Sequence, residues 1–394
     1  MSDPQVLIVG SGPAGADLAW RLASGGADVL LVDRLADLTR AAFSSAALPL
    51  AAVREHHLPE TVIAARWRGW QLLGPGPSER LWMADEPLGA VLDFGALRQW
   101  MAQRAAAAGA RVQLGVHCEG WRASGAGARV QLRDPDGQRR TLHPRWLVDA
   151  TGQQRALLGE PPPSADPLVA GVGVEWLLQV DPPRWRRWAE QLSFMLGSDW
   201  VPQGYGWVFP MQPGVLKLGI CRLQDAGTAQ PPLQGLLRQL QVRLGLADAT
   251  VLDRHGGLVR SSIRRREPHR RGPLLGLGDA VSTANLLGGE GIRHALSSSA
   301  TLAPLLLAAL AGHPQALDPY PRRLRWRLGW RWSLSGRLAQ RTWLGLRTPA
   351  ADRRLERLLT GLEACNAEDL SALLFDYRFE RYGLRALPYA LGWR

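Results

Sequence analysis

Six residues near the start of the chain, Gly10-Ser11-Gly12-Pro13-Ala14-Gly15, restrict the fold more than any other part of the sequence. They follow an apolar run at residues 5–9 and lead into a helix-forming stretch that reaches residue 23. A second apolar run, residues 28–32, ends at Asp33. Strand, turn, helix and strand in that order begin a parallel α/β sheet. In a Gly-x-Gly-x-x-Gly turn the first glycine permits the tight bend and the second lets backbone approach a pyrophosphate. The third lets helix and strand pack closely, and the helix N-terminus then faces the phosphate charge. Asp33 lies eighteen positions after Gly15. A carboxylate there can accept both hydroxyls of an adenosine ribose and would repel a 2′-phosphate. The spacing predicts a dinucleotide-binding unit.

The choice between flavin and nicotinamide rests on residues 274–296, LLGLGDAVSTANLLGGEGIRHAL. Asp279 follows a short apolar strand, then comes a Gly-rich turn and a helix starting near Gly291. An acid placed there can hydrogen-bond a polyhydroxyl chain such as ribityl. The N–H groups around Gly289, Gly291 and Ile292 would stabilise the negative charge that a reduced flavin carries at its N1/O2 edge. The expectation is FAD.

Between these two signals, residues 64–89 are rich in Trp, Gly and Pro and predict strands and turns. Residues 97–108 predict a helix ended by Gly109. Short apolar-aromatic strands dominate residues 171–220, including the Trp-rich stretch at Trp185 and Trp188, and residues 233–246 predict a helix. The predicted fold is α/β, a Rossmann-like FAD-binding domain interleaved with a β-sheet-rich substrate lobe. The first is assigned 1–65, 90–158 and 268–312, the second 66–89 and 159–267, and 313–394 form a helical C-terminal segment.

The chain has 394 residues, 46% of them apolar and 21% charged, as in a folded globular protein. Its formal net charge is +12, and because Lys217 is the only lysine the excess is arginine. Cys118, Cys221 and Cys365 are far apart and none belongs to a Cys-x-x-Cys, which argues against a disulfide framework or a zinc site and fits a reducing compartment. No basic region precedes the first apolar run, and no apolar stretch approaches the roughly 20 residues of a spanning helix. The expected location is cytoplasmic or peripheral on a membrane.

GSGPAG, DATGQQR (residues 149–155) and the second Gly-rich turn, in this order, resemble the geranylgeranyl reductase family of FAD-dependent oxidoreductases. That family belongs to the flavoproteins with a p-hydroxybenzoate-hydroxylase-like fold, and the relation extends more distantly to lycopene cyclases. The stretch GYGWVFP carries Tyr205, Trp207, Phe209 and Pro210 and looks like the family's YxWxFP motif, which lines a cavity for an isoprenoid chain. The resemblance implies FAD on Gly10, Gly12, Pro13, Ala14, Gly15, Asp33, Arg34, Gly152, Gly278, Asp279, Gly289, Gly291 and Ile292. It implies substrate on Tyr205, Trp207 and Phe209, with NAD(P)H or a reduced electron-transfer protein as donor. Four departures stand out: Cys221 replaces a second glycine, Leu286 a proline, and Phe94 an arginine. Phe43-Ser44-Ser45-Ala46 also lacks a cysteine that many of these reductases carry.

Seventeen tryptophans suit an apolar substrate, because aromatic walls exclude water and give dispersion contacts without demanding polar partners. Alternation puts Tyr205, Trp207 and Phe209 on one sheet face. The predicted reaction is reduction of a carbon–carbon double bond. Glu290, His294 and Cys221 are the candidate proton donors. Against these roles stand an exposed acid at a helix start, a solvated helix face and a small buried hydrophobe. The alternative functions are a flavin-dependent monooxygenase, a lycopene-cyclase-like enzyme without net redox change, and a non-enzymatic membrane-associated flavin-binding protein. Between residues 319 and 347 lie eight arginines and four tryptophans without an acid. Such a helix either docks on an anionic membrane surface or packs its tryptophans on the enzyme's own core. Ser262 to Arg271 form a second positive patch. No nucleic-acid-binding module is present, so no nucleic-acid partner is expected.

Overall fold

A computed structural model describes residues 2–40, 42–225, 227–263 and 266–380. The N-terminal runs form the buried strands Val6–Val9 and Val29–Asp33 on either side of the helix Pro13–Ser24. They lie in a six-stranded sheet whose order is Arg270–Arg271, Leu274–Gly276, Trp146–Asp149, Val6–Val9, Val29–Asp33, Arg111–Leu114. All pairs are parallel except the one at the Arg270–Arg271 edge. Helices Phe94–Ala107 and Ile292–Leu310 both pack on Pro13–Ser24. Phe94–Ala107 starts three residues before the predicted position, because the Asp93 carboxylate accepts the Ala96 N–H at 2.9 Å and caps it there.

The second large sheet has seven strands, in the order Thr250–Ser261, Val169–Gln179, Val215–Leu223, Gly204–Pro210, Gln191–Leu196, Gly69–Leu73, Glu79–Met83. Alternation along Gly204–Pro210 sends Tyr205, Trp207 and Phe209 into one apolar cluster and Val208 into another on the opposite face. Helix Leu233–Arg243 covers the Val208 side. The Trp185–Trp188 stretch is not strand. Asp181 accepts the Arg184 N–H at 2.8 Å and two prolines follow it, so the chain turns into the helix Pro182–Trp188.

The aromatic face of this sheet is covered by the end of the chain. Tyr320–Gly345 is helical on both sides of a break at Gly329, where φ is 77°. Helices Pro349–Leu362 and Ala367–Leu374 follow, and Leu355, Leu359, Leu370 and Phe375 share an apolar core with Trp67, Trp70 and Phe209. The expected C-terminal segment therefore builds a wall against the aromatic face of the seven-stranded sheet; its residues 381–394 lie outside the described residues, as do Arg264 and Arg265 of the second positive patch. Among the described residues no helix is long and apolar enough to cross a membrane, and no cluster of His, Cys, Asp or Glu could hold a metal ion.

Candidate active site

The glycine turn shows why each glycine is there. Gly10 has φ of 109°, and a Cβ on it would lie 2.3 Å from the Ala150 carbonyl oxygen. A Cβ on Gly15 would lie 2.0 Å from the Gly10 carbonyl oxygen. A Cβ on Gly12 would meet nothing within 4 Å, so nothing in the protein itself demands glycine there. A pyrophosphate drawn against the backbone would, and the Pro13–Ser24 helix starts directly behind the turn. Asp33 accepts the Ser11 N–H at 2.7 Å and the Leu35 N–H at 2.8 Å, tying strand end to turn. Arg34 is exposed beside it.

The DATGQQR stretch is shaped by Asp149. Its carboxylate accepts the N–H groups of Thr151, Leu157 and Leu158 at 3.0, 2.9 and 2.8 Å, which brings Ala150 up to Gly10. Gly152 has φ of 69°. The second glycine turn closes on the first. A Cβ on Gly278 (φ 63°) would lie 2.7 Å from the Ala14 Cβ. Asp279 accepts the Thr283 hydroxyl at 2.7 Å, and both its oxygens lie 3.7 Å from where a Gly291 Cβ would be. Burial raises the Asp279 carboxyl above its ordinary range. Pro13, Ala14, Gly278, Asp279, Gly291 and Ile292 thus come together from two ends of the chain, in a form that fits a flavin nucleotide.

Gly289, with φ of 67°, brings the seven-stranded sheet to this turn: a Cβ on it would lie 3.2 Å from the Tyr205 hydroxyl. Two cavities meet at Tyr205. One, of about 260 Å³, lies between Pro13, Asp279, Gly289 and Ile292 on one side and Tyr205, Trp207 and Cys221 on the other. The second, of about 250 Å³, is almost wholly apolar. Its walls are Trp70, Phe194, Tyr205 and Phe209 from the sheet and Leu355, Leu359, Leu370 and Phe375 from the C-terminal helices. Phe194 stands 5.3 Å from Phe209 and 5.8 Å from Tyr205 between ring centroids, and Trp343 stands 5.1 Å from Tyr205.

Three charged groups in this region were not singled out from the sequence. The Lys217 ammonium is buried and donates to the carbonyls of Ser44, Ser45 and Leu92 at 2.8, 3.2 and 3.3 Å. The only lysine thus holds the loop that lacks the family's cysteine. Glu175, also buried, accepts the Trp207 indole N–H at 3.0 Å. Burial raises the Glu175 carboxyl and lowers the Lys217 ammonium. Arg98 lies one turn after Phe94, with its guanidinium 5.3 Å from that ring, and donates to the carbonyls of Leu38 and Arg40. An arginine four residues on from the expected position was the available signal, by helical spacing.

The three candidate proton donors fare differently. Glu290 is not an exposed helix-start acid, nor is His294 on a solvated face; both are buried beneath residues 375–377. Glu290 pairs with Arg293, lies 3.5 Å from the His294 Nε2 and accepts the Tyr377 hydroxyl at 3.1 Å. His294 Nε2 is 3.0 Å from that same hydroxyl. Burial alone would raise the Glu290 carboxyl, but Arg293 and His294 outweigh it and hold it below its ordinary range. Glu290 is therefore an ion-paired carboxylate and a poor acid. Cys221 sits directly across from Tyr205 in the strand register. Burial pushes its thiol up to about 12 and raises the Tyr205 phenol as well, so both keep their protons at neutral pH.

The FAD binding domain family model matches residues 3–47 and 90–330. The chain is 24% identical over 339 residues to a chloroplastic geranylgeranyl diphosphate reductase of Oryza sativa, covering 80% of this chain and 68% of that one. It is 23% identical over 336 residues to a digeranylgeranylglycerophospholipid reductase of Methanosarcina acetivorans, covering 82% and 80%. Among solved structures, a geranylgeranyl bacteriochlorophyll reductase-like protein of Thermoplasma acidophilum superposes with a TM-score of 0.81 at 20% identity, covering 97% of this chain and 100% of the other. A p-nitrophenol 4-monooxygenase of Pseudomonas putida superposes with a TM-score of 0.72 at 16% identity, covering 97% and 99%, and shares the fold. The chain belongs to the FAD-binding-domain family, and it is an FAD-dependent oxidoreductase similar to the geranylgeranyl reductases.

Proposed function

We propose that the protein reduces carbon–carbon double bonds of an isoprenoid or similarly apolar substrate. The observation that carries this is the apolar cavity of about 250 Å³ behind Tyr205 and Phe209, which abuts the Gly288–Ile292 turn. Gly10, Gly12, Pro13, Ala14, Gly15, Asp33, Arg34 and Gly152 would hold the adenosine diphosphate half of FAD. Gly278, Asp279, Gly289, Gly291 and Ile292 would hold the ribityl chain and ring. When bound and reduced, FAD would supply a hydride from N5. Tyr205 and Phe209 hold the alkene chain and, with Trp207 on the flavin side, exclude water, and the C-terminal helices keep the far side dry. Cys221 and Tyr205 line the cavity between sheet and glycine turn side by side, and they are the protonated groups placed to give a proton to the carbon opposite the hydride. The electron donor is NAD(P)H or a reduced electron-transfer protein. A peripheral position on a membrane suits a substrate dissolved in lipid.

The test is anaerobic. The FAD-loaded protein is reduced and mixed with a geranylgeranylated lipid or pigment precursor, and flavin absorbance is followed. Reoxidation by the lipid without oxygen, with a product gaining two hydrogens per bond, is the expected result. Reoxidation by oxygen alone would place the protein with the monooxygenases whose fold it shares. An isomerised product with no net oxidation of the flavin would place it with the cyclases.

A further inference from the structure

The Arg/Trp helix Tyr320–Gly345 divides its side chains between two environments. Trp332 and Trp343 are buried in the body of the protein, whereas Trp326 is 85% exposed and Trp330 69%. The arginines divide in the same way. Arg327 pairs with Glu55 at 2.9 Å and Arg331 with Glu380 at 2.5 Å, and Arg347, just past the helix end, pairs with Asp225; these tie the helix down. Arg322, Arg323 and Arg337 have no carboxylate partner among the described residues, nor has Arg266 from the facing segment. Arg266, Arg325, Ser333 and Arg337 line an open concavity of about 580 Å³, and none of its described lining residues is acidic. Farther along the same helix, Leu338, Thr342 and Trp343 line the apolar cavity. Arg337 and Thr342 are about 8 Å apart along the axis at the usual helical rise.

We infer that this concavity seats the phosphate of a lipid headgroup, and that Trp326 and Trp330 enter the interface of an anionic bilayer around it. Guanidinium groups match phosphate oxygens in charge and fork geometry. Exposed indoles are at home at the level of lipid headgroups, where one edge meets hydrocarbon and the N–H meets water. Trp330, Ser333 and Arg337 recur at helical spacing after the Gly329 break, and Trp326 neighbours Arg325 before it, so a single docking event reaches both groups. It also places the helix that walls the apolar cavity against the phase that dissolves prenyl chains. This surface stands apart from the reaction proposed above, and its test does not need turnover.

The FAD-loaded full chain is sedimented with vesicles of neutral phosphatidylcholine and with vesicles containing one-third phosphatidylglycerol. Binding to the anionic vesicles, lost between 0.1 and 1 M salt, is expected. Arg266→Gln and Arg337→Gln should each weaken partitioning about fivefold. Trp326→Ser/Trp330→Ser should weaken it by a comparable or larger factor, and flavin content and thermal unfolding should not change. Equal binding to both vesicle types, or variants that bind like the parent, overturns the inference. So does a pocket that binds inorganic phosphate with the same arginine dependence while vesicle binding is unaffected. Binding of a DNA duplex that needs the arginines but not the tryptophans, in the absence of vesicle binding, would assign the patch to nucleic acid instead.

Discussion

Gly12 and Gly15 stand three residues apart in one turn and lack side chains for different reasons. Gly15 is required by its own protein, because a Cβ there would lie 2.0 Å from a carbonyl oxygen. Gly12 is required only by what approaches it. Gly12→Val should therefore leave thermal unfolding of the FAD-free protein within a degree or two, while flavin retained on purification falls at least tenfold. Gly15→Val should lose both cofactor and fold. If Gly12→Val keeps its flavin, the phosphate does not sit where the turn places it. The glycines and Asp33 were legible in the sequence because spacing alone defines their task. Lys217, Glu175 and Arg98 were not. A buried charge is tolerated only when hydrogen-bonding groups or an opposite charge surround it, and those partners come from strands and loops distant along the chain.

The start of helix Ile292–Leu310 was readable from its glycines, but the environment of its first turn was not. Glu290 and His294 are covered by Phe375 and Tyr377, more than eighty residues later, and no local pattern reports such a contact. The result is a latch between the second glycine turn and the end of the described chain. Its pH dependence follows from the Glu290 carboxyl, which in the folded chain lies below its ordinary 4.5. A depressed carboxyl stabilises the fold fully above its unfolded value and loses that contribution as pH falls through the folded one. Amide exchange in Ala367–Leu374, corrected for intrinsic rates, should be slow at pH 6 and accelerate below about 4.5. Glu290→Gln should exchange fast at both. An exchange rate in the variant as slow as in the parent would mean that the ion pair does not hold this segment. The Arg/Trp helix shows the same limit: composition left two readings open, and only the fold shows that Trp332 and Trp343 pack on the core while Trp326 and Trp330 stay exposed.

At the scale of the whole molecule, two sheets are sewn together by the order of the chain. The six-stranded sheet needs residues as distant as Val6 and Leu274, and the seven-stranded sheet takes strands from between them. The fold class was legible because both glycine turns were, and the long insertion between them implied a second lobe. The C-terminal helices were recognisable as helices, but amphipathicity does not say which surface a helix will cover. Removing residues 347–394 should leave a protein that still binds FAD. It should no longer be reoxidised by an isoprenoid, and it should bind a hydrophobic dye strongly through the bared face of Trp70, Phe194 and Phe209. Full turnover in that truncated chain would show that the cavity needs no outer wall. The same arrangement sets a timetable for biogenesis. Every residue of the flavin cradle has been synthesised once the chain reaches about Ala295, whereas the cover of the aromatic face depends on residues up to Phe375. At about 5–20 residues per second the ribosome needs several seconds to make the difference. For that interval a nascent chain able to take up its cofactor carries an open, greasy chamber, which Pro349–Leu362 and Ala367–Leu374 then close.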